Sequence, residues 1–269
     1  MTGNVALCTD SSAQLPAALV AELDLQVVPV GIALDGEPYD ELELDADLFY
    51  ARLASGARAT TSPPSPGRFA DAYAAAAARG AREVLSIHVG SRISGTIGSA
   101  ELAAREAPLP VTVIDSGTAS FGVGVCVLAA AEAVAAGVSA SRVTAMIERL
   151  GPTLGNVFVA AAAPGGRVPA YDGLPLFSLA DGRTTRLGLA ASLEAAAELM
   201  ASHVLSHNGP LRAAVGHAAP LTAPAADALA RALGDSDKVV EVIRYRVGPS
   251  VGARTGPLSF GAFWWHDVR

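Results

Sequence analysis

Residues 83–106, EVLSIHVGSRISGTIGSAELAARE, decide the fold, because they place a short apolar run, a polar loop and an alanine-rich run in succession. The apolar run Glu83–His88 predicts a strand, and Ser94 begins a predicted helix that runs to about Glu106. Short apolar runs alternate with alanine-rich runs through the whole first half of the chain. That alternation is typical of βαβ units and predicts an α/β fold with a parallel sheet.

The other elements predicted in the first half follow the same order. Strands are expected at Asn4–Thr9, Leu25–Ile32 and Val111–Asp115, and helices at Pro16–Glu22, Ala46–Ala54, Pro66–Arg79, Ser120–Ala136 and Ser139–Leu150. The Asp35-Gly36 pair predicts a turn within an acidic segment. Residues 151–155, GPTLG, are the best boundary by composition. We therefore expect an N-terminal domain over 1–152 and a C-terminal domain over 153–269.

The second half predicts strands and helices in mixed order. Strands are expected at Asn156–Ala162, Leu174–Leu179, Thr184–Leu189, Leu211–Gly216, Val239–Val247 and Ser259–Trp264, and helices at Ala190–Ser206 and Thr222–Leu233. The Asp181-Gly182 pair predicts a hairpin turn. This order indicates a smaller α+β layer domain.

Composition limits the class of partner. The chain has 269 residues, 51% of them hydrophobic, and a formal net charge of -7. This acidic balance offers no positive field for a nucleic-acid backbone, so no nucleic-acid partner is expected. The N-terminus shows no secretory signal, and the longest apolar stretch, 121–138, predicts a buried helix rather than an integral membrane segment. We expect a cytoplasmic protein, with Cys8 and Cys126 as small buried hydrophobic residues.

Two hydroxyl-rich loops each precede an alanine-rich helix: residues 60–66, TTSPPSP, and residues 91–96, SRISGT. Helix N-termini present free backbone N–H groups, which together with Ser and Thr hydroxyls hold anions. A carboxylate or a phosphate is therefore the expected ligand, with Thr61 and Ser94 as the main candidates. Each residue also has a purely structural interpretation, Ser94 as a helix N-cap and Thr61 as a turn hydroxyl beside two prolines.

Other polar residues follow further predicted strands or turns. Asp10 and Ser12 follow the first strand, where they either meet a ligand or cap the next helix. Arg167 follows Gly165-Gly166, either projecting from a turn toward a ligand or lying solvated in a hairpin. Arg254 lies between glycines near the C-terminus, where its guanidinium can pair with a carboxylate.

Several familiar sites are poorly supported. The loop 90–96 lacks the glycine spacing of a dinucleotide site and the lysine of a P-loop. His203 and His207 stand four residues apart, but a third metal ligand is missing nearby, so no metal site is predicted. The chain also lacks the G-x-S-x-G elbow of a Ser-His-Asp hydrolase.

Several short motifs nevertheless occur in a specific order and spacing. They are Thr9-Asp10-Ser11-Ser12, Thr61-Ser62-Pro63-Pro64-Ser65-Pro66, Ser94-Gly95-Thr96, Ile114-Asp115-Ser116, Gly165-Gly166-Arg167, Asp181-Gly182 and Thr255-Gly256-Pro257. In these motifs the chain resembles the DegV family of bacterial fatty-acid-binding proteins along nearly its whole length. The resemblance implies an N-terminal three-layer α/β/α domain with a parallel sheet and a C-terminal two-layer α/β domain with a mixed sheet. One long-chain fatty acid is expected in the cleft between them.

The resemblance also implies roles for individual residues. Thr61 and Ser94 would hydrogen-bond the carboxylate, with Ser62 and Gly95 beside them. Arg254 and Thr255 would approach the same head group. In the better-understood members of the family, the bound fatty acid is presented to a separate ATP-dependent fatty acid kinase. A carrier subunit rather than an enzyme is therefore expected, with the fatty acid as ligand and no cofactor or metal.

The chain departs from the family pattern at several positions. Arg254 replaces the usual His, Pro63 replaces the usual Gln, and Leu258-Ser259 replaces a glycine and a small residue. The segment after Arg167 is shorter, and residues 161–164, AAAP, replace lysines. Arg167 and this segment are a candidate docking surface for the kinase, and the lost positive charge bears on kinase recognition more than on lipid binding.

Two other functions stay open. The hydroxyl loops and Arg254 could act on a small carboxylate or a phosphate ester as an enzyme. The chain could also be a lipid sensor without a kinase partner.

Overall fold

The computed structural model describes residues 5–160 and 172–267. Contacts divide the chain into two compact units. The first unit comprises 1–31, 40–42 and 62–153, and the second comprises 32–39, 43–61 and 154–269. Two segments of the first half therefore group with the later residues. The simpler division into 1–152 and 153–269 stays a prediction.

The helices and strands of the described residues are numbered here in chain order. They are β1 (Val5–Asp10), α1 (Ala17–Glu22), β2 (Gln26–Val28), β3 (Gly31–Leu34), β4 (Glu37–Asp40), α2 (Ala46–Ala54), β5 (Ala59–Ser62), α3 (Pro66–Ala78), β6 (Glu83–His88), α4 (Thr96–Ala104), β7 (Val111–Asp115), α5 (Phe121–Ala135), α6 (Ala140–Leu150), β8 (Gly155–Val159), β9 (Leu174–Ala180), β10 (Arg183–Ala190), α7 (Leu193–Leu205), β11 (Leu211–His217), α8 (Ala223–Gly234), β12 (Val239–Arg246), α9 (Pro249–Thr255) and β13 (Phe260–His266).

The first unit is built on a parallel four-stranded sheet in the order β2-β1-β6-β7. Helices α3 and α4 cover one face, where Phe69 and Ala100 pack with Cys8 and Val84 of the sheet. Helix α5 packs against β1 and β6 on the opposite face. Parallel sheets bury both faces in this way, because their crossover helices return over the sheet. The three-layer α/β/α arrangement expected from the sequence is confirmed.

The second unit contains a mixed six-stranded sheet in the order β10-β9-β8-β13-β11-β12. Only β11 and β12 pair in parallel, and the other neighbours are antiparallel. Helices α7 and α8 pack on one face through small and branched side chains such as Ala197 and Leu229. The predicted hairpin joins β9 to β10, with positive φ angles of 53° at Asp181 and 72° at Gly182. Both angles suit the tight turn that an Asp-Gly pair favours.

The sequence prediction differs from the structure in several places. The single strand predicted at Leu25–Ile32 is two strands, β2 and the beginning of β3. Residues 60–62, predicted as part of a hydroxyl-rich loop, belong to β5 (Ala59–Ser62) in a three-stranded sheet ordered β4-β3-β5. Residues 249–255, for which no helix was predicted, form helix α9, which begins with a proline at its first turn. Strand pairing and tertiary packing outweigh the weak local signals of such short segments.

Candidate ligand site at the edge of the parallel sheet

The strand order of the first unit defines a switch point between β1 and β6. From β1 the chain crosses to β2 on one side, and the later strands β6 and β7 lie on the other. Ligands of open α/β sheets bind outside the carboxyl ends of the strands at such a point. The two segments that leave this edge are residues 11–14 and residues 89–95. The second of these is the predicted loop that carries Ser94.

The loop after β6 is held by backbone and carboxylate hydrogen bonds. The N–H groups of Ile93 and Ser94 donate to the carbonyl of Gly90 at 2.8 and 3.2 Å. The Asp115 carboxylate accepts the N–H of Ser91 at 3.2 Å and that of Gly117 at 2.8 Å. Asp115 therefore supports the loop from the end of β7 rather than contributing a free carboxylate.

Ser94 does not occupy the helix position that the sequence predicted. Helix α4 begins at Thr96, with Gly95 as its N-cap, so Ser94 lies one residue before the cap. Its Oγ accepts the N–H of Thr96 at 3.3 Å and lies 2.9 Å from Thr96 Oγ1. Ser94 is half-buried, whereas Thr96 is fully buried. The Ser94 hydroxyl is thus fixed in place beside the beginning of the helix.

The first hydroxyl segment is part strand and part helix cap. Thr61 and Ser62 are the last residues of β5, and Thr61 is half-buried. In the described ranges no residue hydrogen-bonds the Thr61 hydroxyl. Ser65, rather than Thr61, caps α3 by accepting the N–H of Arg68 at 3.5 Å. The Thr61 hydroxyl is therefore available to a ligand.

Within the first unit, Pro63 of the first hydroxyl segment lies beside Gly95 of the second. A β-carbon on Gly95 would lie 3.5 Å from Cγ of Pro63, an ordinary van der Waals separation. Gly95 has φ -78° and ψ 6°, angles that other residues adopt freely. Neither the backbone nor the neighbouring atoms therefore exclude a larger residue here, and glycine is favoured as a helix N-cap.

The C-terminal candidates lie on α9, in the second unit. Arg254 is exposed in the last turn of this helix, where a cation is favoured by the helix dipole. The Thr255 hydroxyl donates to the carbonyl of Val251 at 3.1 Å, so its hydrogen is already used within the helix. Arg167 and its Gly165-Gly166 pair lie outside the described residues. The meeting of Arg254 and Thr255 with Thr61 and Ser94 stays a prediction.

A buried chain of polar groups lies under the same sheet edge and was missed by the sequence reasoning. Tyr73 OH lies 2.9 Å from Ser86 Oγ, which lies 2.6 Å from Nε2 of His88. Nδ1 of His88 lies 2.9 Å from Oδ2 of Asp10. The Asp10 carboxylate also accepts the N–H of Val89 at 3.3 Å and both the N–H and the hydroxyl of Ser12. Asp10 thus caps the short helical segment after β1, which is the capping role that the sequence offered as one of two alternatives.

This row of hydrogen-bonded side chains has a structural role, although its geometry resembles a Ser-His-Asp triad. Ser86, His88 and Asp10 are all 0% exposed, so the serine is closed to substrate. Burial alone would raise the pKa of Asp10, but its hydrogen bonds from His88, Ser12 and Val89 hold that pKa below its usual value. The available sequence signal was the i, i+2 spacing of Ser86 and His88 on β6, next to the end of β1.

The remaining sequence expectations concern cysteines, metals and membranes. Cys8 and Cys126 are buried, as predicted, and burial raises the pKa of each thiol to about 12. His207 packs on Trp264 with ring centroids 4.9 Å apart. Among residues 5–160 and 172–267, no group of three or more His, Cys, Asp or Glu side chains could hold a metal ion. Within the same residues, every helix is too short or too polar to cross a membrane.

These features define an α/β protein with polar loops gathered at the switch point of a parallel sheet and a second unit built on a mixed sheet. The family model described as "Uncharacterised protein, DegV family" matches residues 4–267. A DegV domain-containing protein of Streptomyces coelicolor is 34% identical, with 97% of this chain and 98% of the relative covered. The chain therefore belongs to the DegV family.

Two solved structures resemble the whole chain. One is described as showing fatty acid binding of a DegV family protein from Thermus thermophilus. It is 32% identical with a TM-score of 0.85, and covers 97% of this chain and 99% of its own. The other is a DegV lipid-binding protein from Thermotoga maritima, 23% identical with a TM-score of 0.87 and coverage of 97% and 98%. The second similarity establishes the fold alone.

Proposed function

We propose that this protein binds one long-chain fatty acid and holds its carboxylate at the two hydroxyl segments. The observation that supports the proposal is that Pro63, two residues after Thr61, lies beside Gly95, the residue after Ser94. Ser94 and Gly95 belong to the loop that leaves the edge of the sheet where α/β folds bind ligands. The fatty acid binding described for the Thermus relative supports the same ligand class.

The proposed head-group site relies on neutral donors. Ser94 and Thr61 donate their hydroxyl hydrogens to the carboxylate, and Ser62 and Gly95 lie beside it. Hydrogen bonds to a charged group contribute about 1.5–3 kcal/mol each, enough to orient a flexible lipid. Arg254 is the proposed cationic contact, because its guanidinium can pair with both carboxylate oxygens. Thr255 contributes less, since its hydroxyl hydrogen is bonded to Val251.

An apolar surface suited to an acyl tail is present in the second unit. Val157 and Val159 of β8 face helices α7 and α8, and strand alternation directs Phe158 to the opposite face. Its ring lies 6.1 Å from that of Phe177 on β9. Both rings are only half-buried, so apolar area is left for a ligand to cover. The placement of the tail between the two domains stays a prediction.

We further propose that the protein is a carrier that presents the fatty acid to a separate ATP-dependent kinase. The buried state of Ser86, His88 and Asp10 supports a carrier over a hydrolase. Arg167 is the proposed docking residue. Affinity purification from the native host tests the partnership: a kinase that co-purifies supports it, and acyl phosphate must form only when both proteins are present. A lipid sensor would bind fatty acid without either result.

Lipid binding is tested by denaturing extraction and mass spectrometry of the purified protein, followed by titration of the delipidated protein with oleate. We expect a stoichiometric fatty acid in the extract. Thr61→Val with Ser94→Ala should weaken oleate binding by more than a hundredfold, since two hydrogen bonds to a charge are lost, about 3 kcal/mol or more.

Matched controls lie on the same segments. Thr60→Val changes the exposed neighbour of Thr61 on β5, and Ser91→Ala changes an exposed serine of the second loop. Both should bind oleate like the wild type. A protein that never carries or takes up a fatty acid would refute the proposal, and a double variant with wild-type affinity would refute the head-group assignment.

A further inference from the structure

We propose that Thr96 is a positioning residue that makes Ser94 a dedicated hydrogen-bond donor to the ligand. The inference rests on the proposed function and adds a residue that does not itself touch the fatty acid. Thr96 is the first residue of α4 and is 0% exposed. Ser94, two residues earlier, is half-buried and can reach a ligand.

The two hydroxyls are close enough to share one hydrogen. Ser94 Oγ and Thr96 Oγ1 are 2.9 Å apart, and the backbone N–H of Thr96 also donates to Ser94 Oγ at 3.3 Å. Each hydroxyl has one hydrogen and two acceptor lone pairs. Only one hydrogen fits between the two oxygens, so one residue donates and the other accepts.

Burial decides the direction. If Ser94 donated, the Thr96 hydrogen would be enclosed without an acceptor, because no other described residue hydrogen-bonds this hydroxyl. A buried donor that lacks an acceptor has lost its bonds to water without replacement. The stable arrangement therefore has Thr96 donating to Ser94.

This direction determines what Ser94 can bind. Its oxygen receives two hydrogens from Thr96, one from the hydroxyl and one from the backbone, which occupies both lone pairs. Its own hydrogen is then left for an outside acceptor, and the two incoming bonds polarise it. An ionised carboxylate is an acceptor only, whereas a fatty ammonium can only donate. Thr96 thus selects for carboxylate over amine head groups.

The test is a double-mutant cycle on the delipidated full-length protein, titrated with oleate. Thr96→Val keeps the shape and removes the hydroxyl, and should weaken oleate binding roughly tenfold, as expected for the loss of one oriented bond. Thr96→Ser restores the hydroxyl and should bind within about twofold of the wild type. In a Ser94→Ala background, Thr96→Val should change the affinity by less than about twofold, because its effect passes through Ser94.

A second readout separates positioning from simple structural support. The ratio of oleate to oleylamine affinities should fall in Thr96→Val, because Ser94 Oγ regains a lone pair that can accept from an ammonium. Circular dichroism and urea unfolding serve as controls to check that each variant is folded. Thr96→Ala serves as the removal variant if Thr96→Val is not folded.

Each outcome decides a different point. A wild-type protein that binds no oleate refutes the proposed function and this inference with it. If Ser94→Ala binds normally, the head-group assignment fails. If Ser94→Ala is weak but Thr96→Val binds like the wild type, the role of Thr96 is refuted. Equal losses for Thr96→Val in both backgrounds, or a Thr96→Ser variant as weak as Thr96→Val, refute it equally.

Discussion

Replacement of Gly95 by alanine should separate the ligand site from the stability of the fold. The new β-carbon would lie 3.5 Å from Cγ of Pro63, which is ordinary contact, and φ is -78°. The only structural cost is that of alanine at a helix N-cap, up to about 1 kcal/mol of unfolding free energy. The protein should therefore fold normally.

The same substitution should affect the affinity for oleate more than it affects stability. Under the proposed function, the methyl group beside Pro63 would narrow the head-group site next to Ser94. Loss of one hydrogen bond to a charged group costs about 1.5–3 kcal/mol, which corresponds to a roughly 10- to 100-fold weaker affinity for oleate. Isothermal titration of the delipidated variant measures this change, and urea unfolding measures the stability.

Gly98 provides the matched control on the same helix. A β-carbon at this exposed position would meet no atom within 4 Å. Gly98→Ala should therefore stabilise the protein by about 1 kcal/mol through helix propensity and leave oleate binding unchanged. The reasoning is refuted if Gly95→Ala binds oleate within about twofold of the wild type, or if Gly98→Ala weakens binding as much.

Three further predictions concern buried groups. Asp10→Asn should lower the free energy of unfolding by about 3 kcal/mol near neutral pH. Because the pKa of Asp10 is lowered in the folded protein, its carboxylate stabilises the wild type above about pH 4, and this stabilisation is lost as the pH falls through the folded-state pKa. The free energy of unfolding of the variant, measured in urea, should therefore depend less on pH in the acid range. Cys8 and Cys126 should stay unreactive toward a thiol reagent at pH 8 until the protein is unfolded, because burial raises both pKa values to about 12; rapid labelling of the native protein would contradict this. Tyr50→Phe should lower the free energy of unfolding in urea by about 1–2 kcal/mol, because the Tyr50 hydroxyl donates to the carbonyl of Val247 at 2.7 Å just before α9. An unchanged urea midpoint would show that this hydrogen bond does not stabilise the fold.

Much of the fold could be predicted because its signals are local. Strand β6 and helix α2 occur at the predicted residues, since an apolar run and an alanine-rich run between turn residues are read over a few neighbours. The Asp181-Gly182 turn was equally clear, because that pair favours positive φ angles. Strand β5 and helix α9 were missed, since each is short and depends on partners distant in sequence.

The candidate site shows the same division. Residue type and motif order indicated Thr61, Ser94 and Gly95 as candidates, which stay a prediction, and the family resemblance of their motifs is confirmed. They could not show that Ser94 lies before the helix cap or that Ser65 is the cap of α3. Cap positions differ by one residue in sequence, but backbone angles and packing decide which hydroxyl meets which N–H.

The sequence by itself determined the alternation of strands and helices, the hydroxyl segments and the family, because these depend on residue type and order along the chain. Only the tertiary structure decided that Pro63 lies beside Gly95 and that Thr96 is fully buried next to Ser94. It also decided that Asp10, His88 and Ser86 are joined by hydrogen bonds in the protein interior. The physical reason is that burial and hydrogen-bond direction arise from contacts between distant segments. The proposed direction of the Ser94 hydroxyl likewise depends on the burial of Thr96, which the local sequence does not show.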